Sequence, residues 1–396
     1  MSDMGKKVYR LDELCDIKSG KRIPKDMDFV TFETEHPYIR ARDIKKGKIN
    51  IDDLIYLEDY VFQKIKRYII NSGDIAITIV GASVGDTGYA SENVDGYNLT
   101  ENAVRLTNFK NNVDSKFLHY VLAQKQYHDY MQLIAGAAAQ PKLGMYKVKR
   151  IKVELPNLEK QKKIADILSA YDNLIENNNK RIKLLEQMAE NLYKEWFVRF
   201  RFPGYEEVEF VGTLPIGWQY QPISESMDFF DSQRVPLSSM QRDEMEKIYP
   251  YYGAAKLMDY VDDYLFDGEY LLLGEDGTVV TTDGFPVLQL VNDKFWVNNH
   301  AHVIRGKGNI STRFLYLTFC RFPITGVVTG SAKPKISKGR LEKLKILVTD
   351  AITMEYFNNL INPMFDEINV LKKQLIRITK QRDMLLPRLM SGKLEV

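Results

Sequence analysis

Apolar side chains recur in steps of four and three through Ile164, Leu168, Tyr171, Ile175, Asn178, Ile182, Leu185, Ala189, Leu192 and Trp196. The one polar interruption is Asn178. A second series of the same spacing runs through Phe357, Ile361, Met364, Ile368, Leu371, Leu375, Ile378, Arg382, Leu385 and Leu389, interrupted at Arg382. A sustained 3.5-residue repeat predicts long helices that meet as a coiled coil, because an ordinary core-facing helix drifts toward a 3.6 period. Each helix, at roughly 35–40 residues and 1.5 Å per residue, spans about 50–60 Å. Pro363 and Pro387 lack the amide donor a helix interior uses, so a kink or a break is expected at the first and a loosened last turn at the second. Elsewhere the pattern is mixed. Ile75-Ala76-Ile77-Thr78-Ile79-Val80 and Tyr270-Leu271-Leu272-Leu273 read as strands bounded by glycines, and Phe117 to Tyr130 and Thr312 to Cys320 read as short helices. Many short strands with few helices predict an α+β class.

The chain repeats itself. Gln140-Pro141-Lys142-Leu143, followed by Ile151-Lys152-Val153, returns 193 positions on as Lys333-Pro334-Lys335-Ile336, followed by Leu344-Lys345-Ile346. Upstream, the stretch from Asp114 to Leu118 matches that from Ser311 to Leu315, and Gly73-Asp74-Ile75 matches Gly268-Glu269-Tyr270. The two heptad series hold the same offset. Small drifts in the offset are insertions and deletions, which loops tolerate. The expected organisation is a globular unit at 1–156, a helix at 157–202, a second globular unit at 203–350 and a last helix at 351–396. Phe202-Pro203-Gly204-Tyr205 breaks the first helix.

Composition narrows the class. With 396 residues, several domains are expected. Lys and Arg number 55 against 53 Asp and Glu, which excludes a polycation but allows a nucleic-acid binder whose charge is local. Cys15 and Cys320 share no close spacing, so a disulfide framework or a thiolate zinc site is not expected and a reducing cytoplasm fits. The first twenty residues lack the apolar core of a secretory signal, and no run reaches the length of a membrane span.

Several chemistries lack their motifs. The Gly-Lys pairs at Gly20, Gly47, Gly306 and Gly392 are followed by Arg, Ile, Gly and Leu, so none completes a phosphate-binding loop. Asn362-Pro363-Met364-Phe365 lacks the second proline of an adenine-methyltransferase loop and falls within a heptad series. No Pro-Asp dipeptide opens a nuclease site, and no G-x-S-x-G elbow occurs. His300-Ala301-His302 places two imidazoles on one face of a strand, open to reading as a metal pair, a polar strand end or a DNA contact. No third ligand accompanies them at ligand spacing.

The chemistry present is basic and polar. Both globular units end in a cationic run: Lys142, Lys147, Lys149, Arg150 and Lys152 in the first, Lys333, Lys335, Lys338, Arg340, Lys343 and Lys345 in the second. Such runs are either solvated surface or phosphate-neutralising patches. Candidate DNA contacts in the first unit are Lys18, Lys21, Arg22, Arg40, Arg42, Thr78, Ser83, Asn98, Thr100, Asn102, Gln140 and Lys142. In the second they are Gln233, Arg234, Tyr252, Lys256, Glu275, Asp276, Asn298, Asn299, His300, Lys333 and Lys335. Arg pairs with guanine, and Asn and Gln with adenine, in the major groove. Several of these positions flank glycines, where backbone approaches a ligand closely.

The ordered set of motifs resembles the specificity (S) subunit of type I restriction-modification enzymes. The run from Leu155-Pro156-Asn157-Leu158-Glu159-Lys160-Gln161 to Ile164-Ala165-Asp166-Ile167-Leu168 is similar to the opening of that family's central conserved helix, with Asn157 in place of a second proline. The stretch from Asn191 to Phe200 resembles that helix's end. Leu214-Pro215-Ile216-Gly217-Trp218 resembles the opening of a target recognition domain, and Gly268 to Gly277 with Trp296 to His302 resembles its body. Leu386-Pro387-Arg388-Leu389-Met390-Ser391-Gly392-Lys393-Leu394 resembles the family's C-terminal ending.

The resemblance implies two target recognition domains, each reading half of a bipartite DNA target. It implies that the helices pack antiparallel in a pseudo-two-fold arrangement, set the gap and dock two modification (M) subunits, with restriction (R) subunits added. S-adenosylmethionine, ATP and magnesium belong to those partners, no cofactor or metal to this chain, and catalysis is not expected of it. Two other classes stand beside this one: a coiled-coil scaffold that binds only proteins, and a metal- or nucleotide-dependent enzyme supported by His300-Ala301-His302 alone.

Overall fold

The computed structural model describes residues 6–137, 139–330 and 333–396; residues 1–5 of the first expected domain lie outside it. The chain packs as two compact units, residues 1–176 together with 377–396, and residues 177–376. Each long helix is divided between the two units, one at residues 176 and 177 and the other at 376 and 377.

In the first unit, six strands form one sheet: β1 (Asp16–Ser19), β2 (Ile44–Lys45), β3 (Gly47–Ile49), β4 (Ile75–Thr78), β5 (Thr87–Tyr89) and β6 (Ala103–Thr107). Their spatial order is β1-β6-β4-β5-β3-β2, antiparallel except where β3 runs parallel to β5. The second unit has β7 (Met227–Phe229), β8 (Tyr249–Tyr252), β9 (Leu257–Val261), β10 (Phe266–Gly274), β11 (Leu288–Val297) and β12 (Ala301–Gly306). Here the order is β7-β12-β10-β11-β8-β9, again with one parallel pair, β8 on β11. A short antiparallel pair closes each unit: Lys7–Arg10 on Lys152–Leu155, and Gln219–Pro222 on Lys345–Val348. β4 is buried along its whole length, so Ile75, Ala76 and Ile77 follow one another without polar alternation and even Thr78 is inaccessible.

The helices are α1 (Leu158–Tyr193) and α2 (Ala351–Ser391). α1 ends in a π-helical turn, Lys194–Val198, that buries Trp196 and Phe197. In the second unit the two are antiparallel, since Asn178 meets Gln374 while the Trp196 ring packs at a tilt on Phe357, 5.3 Å between centroids. Ile182, Ala189, Phe357, Ile361, Ile368 and Leu371 are buried in its core, with Leu185, Leu192 and Leu375 packed against them. In the first unit Ile164, Leu168 and Leu389 share a core with Phe117, and Leu385 packs on it; Ile175 is buried and Ile378 half-buried.

The expected break at Pro363 does not occur: α2 is helical without interruption from Ala351 to Ser391, through both prolines. The packing beside Pro363 accounts for this. Arg313 donates from Nη1 to the Asn362 carbonyl at 2.7 Å, from Nε to Glu269 at 2.8 Å and from Nη2 to Asp366 at 2.6 Å. A cation bound to backbone and side chains on both sides of the proline offsets the one missing helical hydrogen bond. Phe357 and Ile361 before it and Phe365 after it are buried.

Both polar interruptions of the seams have partners. Asn178 Nδ2 donates to Gln374 Oε1 at 3.2 Å. Arg382 Nη1 donates to Asp172 Oδ1 at 2.7 Å, and Asp172 also accepts from the Tyr120 hydroxyl at 2.6 Å. The helix expected from Phe117 to Tyr130 is two helices, Ser115–Leu122 and Lys125–Ala135, broken at Ala123 and Gln124. No helix among the described residues is long and apolar enough to cross a membrane.

Candidate nucleic-acid interface

The repeated Gln140-to-Leu143 and Lys333-to-Ile336 segments lie at the same place in their units, each clamped to the chain just beyond a central strand. In the first unit the Leu143 amide donates to the Ile79 carbonyl at 2.8 Å, and the Gly81 amide to the Pro141 carbonyl at 3.0 Å. In the second, Ile336 donates to Glu275 at 2.8 Å and Gly277 to Pro334 at 3.0 Å. The Ile79 amide donates to the Asn102 carbonyl at 2.7 Å, and the Glu275 amide to the His300 carbonyl at 2.8 Å. Val80 bridges Lys142 as Asp276 bridges Lys335. Gly81 and Gly277 both have φ near +90°, at 95° and 85°, which a side chain would resist. One backbone frame is therefore built twice, and it gathers Asn102, Gln140 and Lys142 in one unit and His300, Lys333 and Lys335 in the other.

Side chains on the two frames differ. Around the first, Arg22, Lys25, Arg40, Arg42, Thr100 and Asn102 line a cleft of about 580 Å³. Arg22 Nε donates to Glu101 at 2.7 Å, Arg40 to Asp43 at 2.9 Å and Arg42 to Asp53 at 2.6 Å. Hydrogen bonding to Glu101 raises the Arg22 pKa and hydrogen bonding to Asp43 raises that of Arg40, so both are fixed cations. Around the second frame, Arg234 donates to Glu275 at 2.6 Å and to the Ala301 carbonyl at 2.7 Å. Lys335 lies 3.3 Å from Glu275, Lys333 lies 3.7 Å from Asp276, and the His300 ring is hydrogen-bonded to Asp276.

Other candidates stand apart from these frames. Lys18 pairs with Asp16 on β1, and Lys21 sits over the Tyr68 ring. Ser83 is half-buried, and Gln233, Lys256 and Asn299 are exposed. Tyr252 packs edge-on to Phe295 at 5.9 Å, and burial raises its pKa. Four candidates, Thr78, Asn98, Thr100 and Asn298, are buried. Thr78 and Asn98 are inaccessible, and Asn98 donates to the Ile65 carbonyl at 3.1 Å. Asn298 is also buried, its carbonyl oxygen accepting from the His300 amide at 2.9 Å. Asn98 and Asn298 bond to backbone, a use that sequence spacing does not distinguish from ligand contact.

The histidine pair divides. His300 lies outside β12 and His302 within it, and each engages a different aspartate. His302 Nε2 donates to the Ile336 carbonyl at 2.8 Å while Nδ1 meets Asp231 at 2.6 Å. Burial pushes the Asp231 carboxyl up, but the hydrogen bond and charge of His302 outweigh it and leave a pKa below the usual value. Asp231 was not legible as a partner: it lies 71 positions from His302. Asp231, Glu275 and His302 come within metal-ligand reach of one another, contrary to the expectation from spacing that no carboxylate joins the histidines. Arg234 is bonded to Glu275 and lies 3.7 Å from Asp231, so the fixed cation there is a guanidinium.

Two sheets alike in their first four strands and differing in the order of the last two, each with a charged loop frame and each packed on paired antiparallel helices, make a duplicated module. The model of the type I restriction modification DNA specificity domain matches residues 4–187 and 215–350, and the chain belongs to the family of type I restriction-modification specificity subunits. It is 28% identical over 72% of its length to the type I restriction enzyme MjaIX specificity subunit of Methanocaldococcus jannaschii, covering 71% of that protein. Against the putative MjaX specificity subunit of the same organism it is 25% identical, over 96% of this chain and 91% of the other. A crystal structure of a type I S subunit from M. genitalium has the same fold, with a TM-score of 0.68 over 98% of this chain and 97% of that one at 16% identity.

Proposed function

We propose that this chain reads DNA sequence for a type I restriction-modification complex, with residues 1–156 and 203–350 each recognising one half of an asymmetric, gapped duplex target. The observation that carries the reading is the backbone frame built twice with different side chains. Two copies of one scaffold suit two half-sites of one duplex, and unlike side chains on them make the halves unlike. The exposed Lys142 and Lys335 supply sequence-blind phosphate contacts. Polar groups beside them face base edges. The helices at 157–202 and 351–396 set the gap and dock two methyltransferase subunits. Catalysis belongs to those partners, which hold S-adenosylmethionine, and to restriction subunits that use ATP and magnesium.

The test is to co-express the chain with its methyltransferase subunit and map methylated adenines across a genome by single-molecule sequencing. A gapped, asymmetric motif that disappears when the chain is omitted is the expected result. A stable complex that methylates no such motif refutes the reading.

A further inference from the structure

Laying one frame on the other separates what the two units share from what they do not. Lys142 and Lys335 occupy the same bridge position. Val80 and Asp276 face them across that bridge, Asn102 and His300 provide the equivalent carbonyl, and Gln140 and Lys333 precede the equivalent prolines. The shared lysines serve both halves alike. Base preference must then come from the positions that differ.

We propose that Asp276, steadied by His300, sets the base preference of the second unit by accepting a hydrogen bond from the exocyclic amino group of a cytosine or adenine. The proposal rests on the two-reader interpretation above. An ionised carboxylate only accepts. In the major groove cytosine N4 and adenine N6 are donors, whereas guanine and thymine edges offer acceptors that a carboxylate repels. The neighbouring carboxylate, Glu275, is already held by Arg234 at 2.6 Å and Lys335 at 3.3 Å, which makes it an anchor of the frame. Asp276 is held by the His300 ring and, more loosely, by Lys333 at 3.7 Å. The Lys333 side chain is 69% exposed and long enough to turn to a phosphate. That exchange frees one face of the Asp276 carboxylate while His300 keeps it oriented. The first unit has Val80 at the same place, an apolar group suited to a thymine methyl.

The full-length chain in complex with its methyltransferase subunit tests this through the methylated motif. The unaltered complex is expected to require cytosine or adenine at one position of one half-site, and the base found there says which amino group is used. The pair Asp276→Val and His300→Asn, which installs the first unit's residues on the same frame, is expected to weaken that single preference about tenfold. The other half-site is expected to stay unchanged. Lys333→Gln is expected to lower binding to all sequences alike, with the motif intact. Should the double variant fail to assemble, the isosteric Asp276→Asn, whose amide adds a donor, is expected to admit guanine or thymine at the same position. A methylated motif identical to the unaltered one in the assembled variants overturns the proposal and leaves the two-reader interpretation standing. If the unaltered complex shows no gapped motif, that interpretation falls and takes this assignment with it.

Discussion

Arg313→Met isolates what keeps α2 continuous through its proline. Arg313 makes three kinds of contact: both oxygens of Glu269 at 3.1 and 2.8 Å, the Asn362 carbonyl at 2.7 Å, and Asp366 at 2.6 Å. The Asp366 side chain is 65% exposed, so its share is discounted to under about 1 kcal/mol. Glu269 is only 20% exposed, and removing its cation leaves a poorly solvated charge. Together with the lost charge-assisted bond to the backbone, the expected cost is about 3 kcal/mol. For a unit of about 200 residues that lowers the melting temperature by roughly 6–12 °C. Differential scanning calorimetry measures the shift, and hydrogen exchange is expected to quicken at residues 359–366. Adding Glu269→Gln is expected to restore part of the loss, since the stranded charge is gone. A variant that melts within about 1 °C of the unaltered protein refutes the account of the continuous helix.

Three further outcomes are expected. Leu168→Asp, at a fully buried seam position, destabilises more than Leu185→Asp, where the leucine is half-buried; urea midpoints should fall in that order, with assembly lost in both. Burial drives the His119 pKa down to about 4, partly countered by Asp172. The unfolded chain binds that proton near pH 6.5, so stability falls as pH drops from about 6.5 to 4, by about 3 kcal/mol at most, and His119→Phe flattens the urea midpoints across that range. Lys142→Ala and Lys335→Ala weaken DNA binding for every sequence and each reduce the salt slope by about one in a titration of affinity against salt.

The parts of the fold legible in the sequence are those whose cause is periodic. The 3.5-residue series exposes α1 and α2, and the Gln140-to-Leu143 and Lys333-to-Ile336 echo marks the segments that clamp each frame. What escaped depends on contacts between distant residues. Continuity through Pro363 needs Arg313, 50 positions away. The tolerance of Arg382 in an apolar seam needs Asp172, 210 positions away. Among the proposed contacts, Asn98 and Asn298 are buried and bonded to backbone, and a polar side chain that serves the chain's own backbone looks the same in sequence as one that meets a ligand.

The division of the chain into units also orders its folding in time. Residues 177–376 are contiguous, so everything that the second unit needs is present once Ile376 has been synthesised. The first unit is begun earlier and finished later, because its core includes Leu389. At synthesis rates of about 5–20 residues per second, the 200 residues in between take roughly 10–40 s. During that interval the apolar stripe of Ile164, Leu168 and Ile175 has no closing helix from its own chain, so the half that is made first is the half most exposed to mispairing with a second nascent copy.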